Sequence, residues 1–388
     1  DPFIALEKNY PNEYKIDIDY EPNFNDENWL KQYDIIHFHR QIGPFENTPI
    51  IVEKCKRLGI ALIMDIDDHW SPGTHHPSHF LIKKNKIDIG ISGNIKQVPY
   101  VTTTTPLFAK EISKMNKNVF VIPNAIDANE KQFISKPTIN ERIRIGYLGG
   151  SSHLMDLKIM DGIVGKIKNA GLIDKVQFVL CGFDLRGMTT EIKENGTEET
   201  RPIKPHESVW NEYEKIFTDN YSICSPEYKE YLLSYSKDEW PNVENEPYRR
   251  VWTKPITSFA MNYNLFDILL APLENNTFNY CKSQLKVEEA AFHKKALVAS
   301  DFGPYTLDCK NVYVRGGEID LNGNAFLIPD SKNHKFWSKH LITLINNPEL
   351  VKTMGENLHK SITPKYNMEE ITKQRHDIYK KIMENKNK

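Results

Sequence analysis

Asn279-Tyr-Cys-Lys-Ser-Gln-Leu-Lys-Val-Glu-Glu-Ala-Ala-Phe-His-Lys-Lys-Ala-Leu-Val-Ala-Ser300 reads as loop, helix, short turn and buried strand. Leu285, Val287, Ala290 and Ala291 form the apolar side of a helix that begins near Ser283, a residue type suited to cap a helix N-terminus. Lys282, Lys286, Glu289 and His293 fall at i, i+4, i+7 and i+11, so they share one face. Just upstream, Phe266-Asp-Ile-Leu-Leu-Ala-Pro-Leu273 is an apolar run suited to a central parallel strand. A strand that empties into a polar loop and then a helix N-terminus makes an anion site. The backbone N–H groups of Ser283 and Gln284 point at it, aided by the helix dipole and by Lys282. The bland alternative for Lys286 and Glu289 is a solvated ion pair on an outer face. The buried strand directly upstream favours a ligand, because α/β proteins bind ligands at the carboxyl ends of such strands.

The chain has 388 residues, enough for two domains and two cores. Hydrophobic content of 39% and 26% charged residues describe a globular protein. A net charge of −2 gives no field that argues for nucleic acid. The longest apolar runs, roughly eight residues, fall short of a membrane span. Asp1-Pro-Phe-Ile does not read as a charged-then-apolar leader. The five cysteines, at 55, 181, 224, 281 and 309, are odd in number and scattered, which leads to an expectation of reduced thiols and a cytoplasmic protein.

Outward from the opening stretch, the first half carries a βαβ unit. Tyr33–Arg40 is a strand, residues 48 to 57 a helix ending at Gly59, and Ile60–Asp68 a second buried strand. Alternation in Tyr14–Tyr20 predicts a further strand. Tyr100–Thr103 and the run from Val119 complete this half, and the polar residues 128–140 read as a linker. A second α/β half opens with Ile143-Arg-Ile-Gly-Tyr-Leu-Gly-Gly-Ser-Ser-His153, a strand and glycine turn where a phosphate could approach the backbone at Gly149, Gly150 and Ser151. Many such turns serve geometry only. Val176–Gly182 is the next strand, and the polar, aromatic residues 183–260, with helices near 208–217 and 226–236, read as an insertion. Helices near 333–346 and 347–361 follow, Pro364 breaks the run, and 368–383 is a last helix.

Pro123-Asn-Ala-Ile-Asp127, Ile145–His153, and Asp267–Leu273 with Asn279, Lys282, Ser283, Lys286, Glu289 and Ala296–Ser300 together resemble GT-B glycosyltransferases of the family 4, retaining kind that build bacterial surface polysaccharides. The resemblance spans residues 33 to 384. It implies an α/β fold of two Rossmann-like domains facing a cleft: 1–137 binding acceptor, 138–363 binding donor, and 364–388 as a helix returning to the first. The substrates it implies are a nucleotide-diphosphate sugar and a glycan, lipid-linked or protein-linked acceptor, with retention at the anomeric carbon. Peripheral contact with a membrane is among the implied partners; nucleic acid is not.

Carried over by residue, Glu289 matches the second Glu of the family's Glu-x7-Glu motif, which holds the donor ribose. Ser283 and Gln284 lie where backbone N–H groups bind the diphosphate, and Gly149, Gly150, Ser151 and His153 match the opposing phosphate turn. Cys281 stands where the first Glu of the motif belongs. The family's cations after the turn are missing, so Lys282, or Arg249 and Arg250, are the expected source of charge. Glu289 is expected on the ligand side of its helix, where its loss would leave folding intact. Asp65, Asp67 and Asp68 leave two readings open: a metal-binding Asp-x-Asp, or a metal-free acceptor-side role for Asp67, Asp68 and His69. His37 and His39 read as packing. The favoured reading needs no metal and no cofactor beyond the nucleotide sugar. Rival readings are a nucleotide-sugar epimerase, a phosphorylase, or a carbohydrate-binding protein without chemistry.

Overall fold

The structure, a computed structural model, describes residues 1–137, 141–315, 318–329 and 334–386. The end of the expected linker and the boundary at 137/138 lie partly outside them. Two compact units emerge: Asp1–Ala128 with Asn275–Glu288 and Thr363–Lys388, and Asn129–Glu274 with Glu289–Ile362.

The first unit holds a four-stranded parallel sheet in sequential order: β1 (Ile35–His39), β2 (Ala61–Ile66), β3 (Tyr100–Thr103) and β4 (Val119–Val121). Period-two geometry explains why β2 is apolar on both sides. Leu62, Met64 and Ile66 enter one core cluster with Ile51, Cys55 and Phe108. Ala61 and Ile63 enter another with Leu6, Ile371, Tyr379 and Ile382. Helix Thr48–Leu58 stops where Gly59 turns left-handed at φ 69° and its N–H reaches the carbonyls of Cys55 and Lys56. Tyr14–Tyr20 is irregular chain, so its alternation is not that of a strand.

The second unit holds a six-stranded parallel sheet in the order β14-β11-β10-β5-β6-β9. Its members are β5 (Ile143–Leu148), β6 (Val176–Phe183), β9 (Tyr248–Trp252), β10 (Ile268–Ala271), β11 (Ala296–Ser300) and β14 (Phe326–Ile328). Two antiparallel ribbons stand beside it, β7 (Met188–Ile192) with β8 (Glu198–Pro202), and β12 (Val314–Arg315) with β13 (Glu318–Ile319).

Three expectations need correction here. Residues 183–260 are not merely an insertion: β9 is the sixth strand of the sheet, and helix Val209–Thr218 gives Trp210, Tyr213 and Phe217 to the main core. Two consecutive arginines hide β9 in the sequence, because an apolar run is the usual signal of a parallel strand. Pro364 does not end its helix, which runs Pro348–Tyr366. The carbonyls near that end find partners: the Asn367 side-chain amide donates to Thr363 and Pro364, and the Ile126 N–H donates to Tyr366. Finally, residues 275–288 group with the first unit, where Cys281 is wholly buried in the cluster containing Leu30, Ile42 and Phe108.

Candidate functional site

In the second sheet β5 comes first in sequence, β6 and β9 follow on one side, and the chain returns to lay β10, β11 and β14 on the other. The switch point therefore lies between β5 and β10. Ligands of open α/β sheets bind outside the carboxyl ends of the strands at such a point.

The loop leaving β5 is Gly149-Gly150-Ser151-Ser152-His153, followed by the short helix Leu154–Lys158. Its shape is fixed from three directions. Tyr213 donates its hydroxyl proton to the Gly150 carbonyl at 3.1 Å and accepts from the His153 N–H at 2.7 Å. Gly182, at φ 98°, brings the end of β6 so near that a Cβ there would lie 2.4 Å from the Gly149 carbonyl oxygen. Asp156 is buried, with one carboxylate oxygen 2.7 Å from His153 Nδ1 and the other accepting from the Glu274 N–H at 2.7 Å. Glu274 belongs to the loop leaving β10, so Asp156 ties together both loops of the switch point.

Tyr213, Asp156 and Gly182 were not singled out from sequence. A signal existed for two of them: Asp156 follows His153 at i+3, and a glycine ends the β6 run. Tyr213 is 60 positions away from His153, and no local pattern announces it.

In the 279–293 stretch the helix is Leu285–Phe292, so Ser283 is not its cap and Lys282 lies before it. The Gln284 carbonyl receives the first helical bonds, from the N–H groups of Val287 at 2.8 Å and Glu288 at 3.2 Å. The common face expected for Lys282, Lys286, Glu289 and His293 is thus reduced to Lys286 and Glu289. Lys282 Nζ sits 5.0 Å from the centre of the Phe278 ring. Lys286 and Ser283 are half-buried, and Gln284 is buried. Glu289 is 4% exposed and accepts the Tyr263 hydroxyl at 2.5 Å, Tyr263 itself being wholly buried. Burial, and then the Glu289 carboxylate, hold the Tyr263 phenol well above its usual range. Glu289 is thus tied into the packing through its Oε2 atom, and its removal would disturb folding. Burial pushes the Cys281 thiol up to about 12.

Arg249 and Arg250, expected as sources of free positive charge, are both engaged. Arg249 pairs with Glu239 at 2.5 Å and Glu244 at 3.2 Å. Arg250 forms a buried two-pronged pair with Glu214, Nε at 2.9 Å and Nη2 at 2.6 Å, and caps the Leu232 carbonyl.

In the first unit, the loops leaving β1 and β2 bring Asp67 to 3.0 Å from His39 Nε2 and 2.8 Å from Arg40 Nη2, with Asp68 3.8 Å from Arg40. Burial raises the Asp67 carboxyl, but the His39 hydrogen bond and the Arg40 charge outweigh it and hold the group well below the usual carboxylate range. Asp65 points elsewhere: it is enclosed, accepts the Thr102 hydroxyl at 2.5 Å, and is raised by burial. His69 stacks on Trp70 at 4.2 Å, and the Ser71 N–H donates to its Nδ1, with burial lowering its pKa. His37 is a packing residue, burial lowering it to about 3, while His39 is exposed and engaged with Asp67.

No protein-family model matches the sequence, and no curated protein does. Solved structures do. A glycosyltransferase from Rickettsia africae is similar with a TM-score of 0.58 at 12% identity, over 99% of this chain and 94% of that one. Anabaena Alr3699/HepE in complex with UDP and glucose gives 0.56 at 12% identity, over 90% and 78%. Sucrose-phosphate synthase from Thermosynechococcus elongatus gives 0.53 at 13% identity, over 94% and 80%. At these identities the likeness is one of fold. The chain has the GT-B architecture, with two Rossmann-like sheets.

Proposed function

We propose that this protein is a glycosyltransferase that takes its sugar from a nucleoside diphosphate, a UDP- or GDP-sugar. The observation that carries this reading is the switch point between β5 and β10, where a glycine turn is bonded by Tyr213 and tied by Asp156 to the facing loop. Similar folds that include a glycosyltransferase, and a protein in complex with UDP and glucose, support it. Breaking the glycosyl–phosphate bond leaves its electron pair on the diphosphate. Backbone N–H groups of Gly149 to Ser151, with Lys282, stabilise that charge. Ser283, Gln284, Lys286 and Glu289 complete the donor contacts. The sugar passes, with retention, to a hydroxyl of a glycan, lipid-linked or protein-linked acceptor, near Asp67, Asp68 and His69.

Metal independence belongs to the same proposal. Asp67 already faces the His39 imidazole and the Arg40 guanidinium, and Asp65 is bonded to Thr102, so the Asp-x-Asp carboxylates are engaged within the protein. The test is a thermal-shift series with UDP-, GDP-, ADP-, CMP- and dTDP-sugars, then donor hydrolysis in EDTA with and without Mn²⁺. Ligand at 100 times its dissociation constant stabilises by about 2.7 kcal/mol. Activity that EDTA removes and Mn²⁺ restores would overturn the metal-free reading. One observation favours a second reading, a binding protein without transfer chemistry: Cys281, at the place of a motif carboxylate, is packed in a core. Donor binding without turnover against a panel of acceptors would select it.

A further inference from the structure

We propose that the cavity between helices Val209–Thr218 and Pro226–Leu233 of the second unit is a binding site for a single sugar ring, separate from the switch point between β5 and β10. The cavity holds about 450 Å³, inside the range of roughly 300–1,000 Å³ usual for small-molecule pockets. Its lining includes Asn211 and Lys215 from the first helix, Tyr221 from the loop after it, and Leu233, Ser234 and Tyr235 from the end of the second. Asn211 and Lys215 stand four apart and share a face. Tyr213 reaches from another side of that helix to the glycine turn. Tyr221 and Tyr235 hold left-handed backbone at φ 65° and 55°, and Asp219 and Asn220 precede Tyr221 in the same conformation. A bulky residue rarely takes that conformation, and it persists where the surroundings impose it, commonly at ligand clamps.

The two tyrosines converge on one side chain. Asn211 is 8% exposed, and its Oδ1 accepts the Tyr235 hydroxyl at 3.3 Å and the Tyr221 hydroxyl at 3.0 Å, the latter shared with Glu214 at 3.2 Å. Those bonds fix the amide, and its Nδ2 has no partner among the described residues. The charges nearby are matched. Lys215 pairs with Glu212 at 2.7 Å, and Glu214 pairs with Arg250, whose guanidinium lies 5.3 Å from the centre of the Tyr235 ring. An anion would find Lys215 already taken, and a wholly apolar guest would leave the Asn211 amide unpaired. A neutral ring with hydroxyls on its edge and an apolar face suits the amide and the tyrosines together, and a pyranose has that chemistry. Binding here does not depend on transfer from a nucleotide sugar.

The test is saturation-transfer NMR of the whole protein with glucose, galactose, mannose, N-acetylglucosamine and rhamnose, each with and without saturating UDP. At least one sugar should receive saturation that UDP does not displace. Ser234→Trp puts a large ring at the exposed rim and should abolish that signal while keeping the wild-type urea midpoint and UDP affinity. Asn211→Ala should weaken sugar binding about fivefold, the worth of one neutral hydrogen bond. Because it also unpairs two tyrosine hydroxyls, the rim variant carries the decision if the alanine variant unfolds. Sugar binding without UDP binding would leave this site standing and remove the donor reading. The proposal is overturned if no sugar binds, if UDP displaces every sugar that does, or if Ser234→Trp binds them as wild type does. It is also overturned if Ser234→Trp excludes inorganic phosphate or indole but no sugar.

Discussion

Gly149 and Gly150 are neighbours with opposite tolerances. A Cβ on Gly149 would meet the Tyr147 hydroxyl at 2.4 Å, whereas one on Gly150 meets nothing within 4 Å. Gly150→Val is therefore a clean probe of the turn: the fold has room for it, and a diphosphate resting on the backbone does not. We expect UDP and UDP-sugar to bind about 10- to 100-fold more weakly, the scale of one or two charge-assisted hydrogen bonds. Uridine should be unaffected in the same calorimetric titration; equal weakening of all three ligands would remove the turn from the site. Glu289 needs the opposite care. Glu289→Ala leaves a buried Tyr263 hydroxyl without its acceptor, so we expect about 1–3 kcal/mol of lost stability in urea unfolding. Glu289→Gln keeps an acceptor and should stay within about 1 kcal/mol of wild type. Equal stability of the alanine variant would show that the Tyr263 contact is not structural.

Among the elements, helix Val209–Thr218 has the widest reach. Tyr213 shapes the turn after β5, while Glu214 accepts from Arg250, from the Tyr248 hydroxyl at 3.0 Å and from the Tyr221 hydroxyl at 3.2 Å. A carboxylate 0% exposed beside a guanidinium 3% exposed depends on its partner. Arg250→Met should lose about 3–5 kcal/mol, and so should Glu214→Met, while the double variant should lose well under their sum. Strict additivity in chemical denaturation would show that the two side chains do not act as a pair. This element also marks where sequence reading stops. Strands that announce themselves by local composition, such as Ala61–Ile66 and Ala296–Ser300, were legible, as was the glycine turn after Leu148. Strand β9 was not, because Arg249 and Arg250 make it look polar until their acidic partners are known. Lys282 was placed on a helix face because no sequence signal separates a helix starting at Ser283 from one starting at Leu285. Cys281 stands at the place of a motif carboxylate, and its burial follows from contacts with residues far away in the chain.

At the scale of the whole molecule, acid should be destabilising earlier than carboxylates alone would make it. Burial lowers His37 to about 3 in the first unit and His293 and His340 to about 4 in the second. All three folded values lie below the ordinary imidazole value of about 6.5, so the unfolded chain binds more protons between that pH and about 4. Their contribution is complete above about pH 6.5 and is lost as pH falls toward 4, at up to about 4 kcal/mol per pH unit for three imidazoles. Urea midpoints should therefore fall between pH 7 and pH 5. A flat midpoint across that range would mean that these rings are not held neutral.

The first unit closes on itself only with the last helix, since Leu6, Ala61 and Ile63 share a core with Ile371, Tyr379 and Ile382. A ribosome makes β2 before the second unit and that helix after it. Roughly 250 residues separate Ala128 from Ile382, and at about 5–20 residues per second their synthesis takes on the order of 10 to 50 seconds. Through that interval one face of the parallel sheet lacks the cover of that helix, while the second unit, whose last residue is Ile362, has every segment it needs. The order of completion is thus reversed from the order of translation. The nascent protein must shelter these strands until that helix arrives.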